Sequence, residues 1–160
     1  MGQISVKATA ILNARAEDVY VSIADYRHGH PNIIPAAFSD LQVEQGGYGE
    51  GTIIRFKTKV LGVEQAFYQR VSEPEPGRVI VEQDIDSAQN FITTFVVNPV
   101  EDDQKSLVEI STTLNTSPGL TGIIERIVIL MINPRLYRKE LQLLEAFAQR
   151  QGKSLVASHQ

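Results

Sequence analysis

Residues 118–148, PGLTGIIERIVILMINPRLYRKELQLLEAFA, are where the chain changes its period. Upstream of them apolar residues recur at every second position. After Pro118 and Gly119 they recur at helical spacing, at Leu120, Ile123, Ile124, Ile127, Leu130, Met131, Leu141, Leu144 and Ala148. One long C-terminal helix is predicted, kinked or split at Pro134, whose ring clashes one turn back and whose nitrogen donates no hydrogen bond. Gly152 is its expected end, with residues 153–160 as a frayed tail.

Working back from the helix, Ser106–Leu114, Asn90–Asn98 and Val79–Ile85 read as strands joined by short connections, which favours antiparallel neighbours. Pro74-Glu75-Pro76-Gly77 is a turn, and Val63–Val71 is a strand entered through Gly62. The clearest strand places Ile54, Phe56, Thr58 and Val60 on one face and Arg55, Lys57 and Lys59 on the other. A strand from residue 39 runs into the hairpin glycines Gly46, Gly47, Gly49 and Gly51. At the start, Ile4, Val6, Ala8 and Ala10 make residues 3–12 a strand. Asn13 is the expected cap of a helix from Ala14 to Tyr26, and residues 31–37 a short second helix begun on Pro31. The predicted class is α+β: a curved antiparallel sheet of about seven strands wrapped around the long helix, with two short helices after the first strand, as one domain over residues 1–152. A single helix across such a sheet leaves space along the seam, the natural place for an apolar ligand.

Composition narrows the partners. The 160 residues are 42% hydrophobic and 21% charged with a net charge of -4, which argues against nucleic acid. The absence of cysteine excludes disulfides, thiolate metal sites and cysteine nucleophiles. The most apolar run, Ile123–Ile132, is too short for a bilayer and contains Glu125 and Arg126. Residues 1–12 lack the basic start and apolar run of a signal peptide, so a cytoplasmic protein is expected.

Four segments, in this order, resemble the START/Bet v 1-like superfamily (SRPBCC, polyketide cyclase/dehydrase-like). Asn13–Tyr20 is similar to its opening "P-x-x-V-[WY]" segment, and Gly46–Gly51 looks like its glycine hairpin between the second and third strands. Arg70–Arg78 is similar to "R-V-x-E-x-x-P", and Arg138–Glu145 to the closing "L-x-x-L-K" helix. The likeness spans about residues 3–150. Asn13-Ala14 replaces the usual proline, and Asp25–His28 lacks the tryptophan often found just after. The resemblance implies a helix-grip fold with an internal cavity. It also implies members that bind lipids, polyketides, quinones or similar hydrophobes, some of which catalyse ring closure or dehydration.

Chemistry-bearing residues are sparse. His28 and His30 stand two apart in a loop; they lack a third metal ligand, His159 in the tail being the only other histidine, so no metal and no cofactor is expected. As acid/base candidates they are joined by Tyr68 and Arg55. Glu82, Asp84 and Asp86 alternate with Val79, Val81, Gln83 and Ile85, which read as the core-facing set and leave the carboxylates on a solvated face. Strand alternation then predicts a cavity lined by Phe56, Thr58, Phe67, Gln69, Val81, Gln83, Phe91, Thr93, Phe95, Ile110 and Thr112. From the helix it predicts Ile127, Leu130, Met131 and Tyr137. A binder or carrier of a hydrophobic small molecule is the leading reading. A metal-free cyclase, aromatase or dehydratase in the same cavity is the alternative. Residues 127–132 are apolar almost all round, more than one buried face needs, which leaves room for a membrane contact or a homodimer as well as a monomer.

Overall fold

The computed structural model describes residues 2–157. Strand β1 (Gln3–Leu12) leads to helix α1 (Ala16–Ala24) and a single 3-10 turn (His30–Asn32). Six strands follow: β2 (Phe38–Gln45), β3 (Ile53–Val60), β4 (Val63–Glu75), β5 (Val79–Asp84), β6 (Ile92–Val100) and β7 (Lys105–Asn115). Helix α2 (Gly119–Ala157) completes the chain as described. The sheet order is β1-β7-β6-β5-β4-β3-β2, with every neighbour antiparallel. β2 through β7 therefore pair consecutively, while the segment carrying α1 crosses from one edge of the sheet to the other.

Register shifts between Ser39 and Gln42, Val43 and Gln45, and Ser72 and Glu75 interrupt the ladders. Such irregularities bend strands and strengthen their twist, which helps the sheet curl around α2. Leu61 and Gly62 both take positive φ, the geometry of a two-residue hairpin between β3 and β4. The main core joins Ile4, Val6, Leu12, Val97, Val108, Ile110 and Leu114 on the sheet to Val19 and Ile23 of α1 and Leu141, Leu144 and Ala148 of α2. Only the second half of α2 supplies this core. Its first half lies over the seam.

Four local expectations are corrected. Asn13 does not cap α1: its N–H donates to Glu145 at 2.8 Å, its carbonyl accepts from Gln149 at 2.9 Å, and Arg15 is the capping position, with no side-chain bond. The second helix is only His30–Asn32 because Pro35, without an N–H, cannot extend the turn. Of the kink or split expected at Pro134, the split does not occur: α2 runs through it as one helix of 39 residues, held on one side by the sheet and α1. Nor does Gly152 end α2, which continues to Ala157; the remaining tail residues, His159 among them, lie outside the described residues.

Candidate functional site

Sheet and helix leave a cavity of about 430 Å³ between them. Phe38, Phe56, Phe67, Phe91 and Phe95 line it from the sheet side, and Val128, Ile129, Ile132, Leu136 and Tyr137 from α2. The phenylalanines pack on one another: Phe56 stacks on Phe67 at 4.9 Å between ring centres, and Phe67 meets Phe91 edge-on at 5.1 Å. Leu61, Val63 and Ile124 stand exposed at the mouth.

The deep end is polar, and the chain's local folding puts it there. The glycine hairpin docks on the end of α1, where the Tyr26 N–H donates to the Gly47 carbonyl at 2.9 Å and the Gly49 N–H to the Ala24 carbonyl at 3.0 Å. Gly29 lies so close to α1 that a Cβ there would fall 2.5 Å from the Ser22 carbonyl oxygen, so only glycine lets the loop close. That closure drives the next side chain, His30, into the core at 4% exposure. Its Nδ1–H donates to the Ile23 carbonyl at 2.9 Å, and its ring stacks on Tyr26 at 4.5 Å. Nε2 consequently faces Glu82 Oε1, 3.5 Å away. The Tyr26 hydroxyl donates to the same carboxylate oxygen at 2.7 Å. Burial, then the Glu82 charge, pushes the Tyr26 hydroxyl well above its ordinary value, so it remains a donor.

Glu140 enters from α2 at 4% exposure and also lines the cavity. Burial first, and the nearby Glu82 charge second, hold its carboxyl well above the ordinary 4.5, which favours the protonated form. Beside it a hydroxyl chain runs from Thr93 to Thr112 at 2.7 Å and on to Tyr137, whose hydroxyl burial pushes up to about 12. Gln69 donates from Nε2 to Asp84 at 2.8 Å, leaving its buried Oε1 without a partner among the described residues.

Of the residues expected to line the cavity, Phe56, Thr58, Phe67, Gln69, Phe91, Thr93, Phe95 and Tyr137 do so. Ile110 and Thr112 face inward but lie behind the wall, in the packed core and under Tyr137 respectively. Val81 and Gln83 are corrections, because β5 runs in the opposite phase. Ile80 pairs with Phe95 and Glu82 with Thr93 and Val71, all inward-facing, so Glu82 is buried at 6% and is not on a solvated face. On α2, Ile127, Leu130 and Met131 point to solvent, each more than half exposed, because the cavity face is the one carrying Ile129, Asn133, Leu136 and Glu140. His28 is exposed and sits beside Asp25 outside the cavity. Arg55 and Tyr68 pack together on the outer face of the sheet, the guanidinium 3.9 Å over the ring, with Arg55 ion-paired to Glu44. Only His30 of the acid/base candidates reaches the site.

No known family profile and no curated protein matches the chain. Solved structures do. The KanY protein superposes with a TM-score of 0.80 at 25% identity, over 93% of this chain and 99% of its own. The Zhui aromatase/cyclase from a Streptomyces species does so with a TM-score of 0.77 at 18% identity, over 93% and 95%. A START superfamily protein from Mycobacterium smegmatis gives 0.71 at 15%, over 93% and 99%. The chain shares the fold of these proteins. Its helix grip is formed by the curved seven-stranded sheet closing on α2. No helix among the described residues is long and apolar enough to cross a membrane.

Proposed function

We propose that this chain belongs to the START/Bet v 1-like superfamily and binds a hydrophobic small molecule, a lipid, polyketide, quinone or similar compound, between its sheet and α2. The observation that carries this is the cavity of about 430 Å³, walled largely by aromatic and aliphatic side chains, with His30, Glu82, Tyr137 and Glu140 at its deep end. That size falls within the range of small-molecule pockets, and the division of labour is theirs: apolar wall for affinity, sparse polar groups for orientation. The test is a fluorescence titration with the neutral apolar probe N-phenylnaphthylamine. Saturable uptake is expected in the wild type and is lost in Thr58→Trp, which fills the cavity from its β3 wall while its melting temperature stays near the wild-type value. Equal uptake by both proteins would remove the cavity from consideration.

The polar end favours a second reading, acid–base catalysis of the cyclase, aromatase or dehydratase type. Glu140 carries a proton in apolar surroundings while His30 and Glu82 offer acceptors beside it. In a dehydration, Glu140 would protonate a departing hydroxyl, which leaves as water, and the acceptor pair would take the proton from the adjacent carbon. General acid–base groups contribute roughly 10²–10⁴-fold to rate, so Glu140→Gln should lower turnover of a β-hydroxy ketone by that order. Unchanged turnover in Glu140→Gln and His30→Ala would rule this reading out.

A further inference from the structure

Resting on the cavity-binding reading, we infer that the ligand presents a hydrogen-bond donor, a hydroxyl or an amine, to the deep end of the cavity and that carboxylate ligands are excluded. Among the described residues the lining contains three glutamates, Glu82, Glu125 and Glu140, and neither a lysine nor an arginine. Its one histidine is committed, with Nδ1–H on the Ile23 carbonyl and Nε2 toward Glu82. An anion entering this space would find no cation to pair with, and it would stand near the Glu82 carboxylate in a medium that screens charge poorly.

Two acceptor positions in the wall are unfilled among the described residues. Gln69 is oriented by its donation to Asp84, whose other oxygen is held by the Phe91 N–H at 2.9 Å, so the amide cannot flip to offer its nitrogen. Its Oε1 is therefore a buried acceptor in the cavity wall, without a partner among the described residues. Glu140 adds a carboxyl on which only burial and the Glu82 charge act, with no hydrogen bond from the protein among the described residues. Buried polar atoms left unpaired are costly, and a ligand hydroxyl or ammonium would satisfy both. The glutamate at the mouth is already occupied, accepting from the Ser117 N–H at 2.9 Å and its hydroxyl at 2.8 Å, so it does not compete.

The experiment is a matched series on one ring system: naphthalene, naphthol, naphthylmethylamine and naphthoate, titrated against the full chain at neutral pH. Naphthol and naphthylmethylamine are expected to bind more tightly than naphthalene, and naphthoate on the order of tenfold more weakly than naphthol. Gln69→Leu should abolish the preference for naphthol over naphthalene. Naphthoate binding as tightly as naphthol, or four equal affinities, would overturn the inference while leaving the cavity-binding reading intact. Failure of all four compounds to bind would overturn both.

Discussion

Glu140 is a residue whose burial makes a prediction by itself. Below pH 4.5, its ordinary value, the carboxyl is protonated in the folded and unfolded chain alike and contributes nothing to pH dependence. Above it the unfolded chain releases the proton while the folded chain, with the site raised by burial and by Glu82, keeps it. Stability therefore falls as pH rises from 4.5 toward the raised value, at a limiting slope of about 1.4 kcal/mol per pH unit. Glu140→Gln should remove that slope, which urea unfolding of both proteins between acid and neutral pH will show; parallel curves would mean that the carboxyl is not held neutral. Tyr26→Phe acts on the partner side. It deletes the 2.7 Å donor to Glu82, itself 6% exposed, and should lower stability by about 1–3 kcal/mol in the same assay.

At the scale of elements, the phase of β5 is open to a simple check. Ile80 is fully buried, so Ile80→Ala should cost about 2–4 kcal/mol, whereas Gln83→Lys, on the exposed face, should stay within about 0.5 kcal/mol. The reverse order would restore the phase expected from sequence. That phase was not legible because Val79, Ile80 and Val81 are apolar on both faces, and pairing with Phe95 and Thr93 decides it. Residues 127–132 pose the same problem on α2: they are all apolar, and the cavity face is marked instead by Asn133 and Glu140, polar residues that read as outward. β1 and β3, in contrast, alternate cleanly, and their inward sets match the structure. Pro134 is an element-level cost within α2. Pro134→Ala should stabilise the protein by up to about 3 kcal/mol by restoring a helical N–H, as denaturant unfolding will report.

For the molecule as a whole, the long helix has two jobs, and its two halves divide them. The C-terminal half closes the core through Leu141, Leu144 and Ala148. The N-terminal half covers the cavity with Val128, Ile129, Ile132 and Leu136 and shows a second apolar face, with Leu120, Ile123 and Ile127, to solvent. Two apolar surfaces are thus available to a hydrophobe, one inside and one outside. Uptake alone does not tell them apart. The direct measurement is isotope-filtered NMR of the protein saturated with N-phenylnaphthylamine, reading Overhauser contacts from probe to methyl groups. Binding in the cavity predicts contacts to the methyls of Val128, Ile129 and Leu136. Contacts confined to Leu120, Ile123 and Ile127 would contradict it.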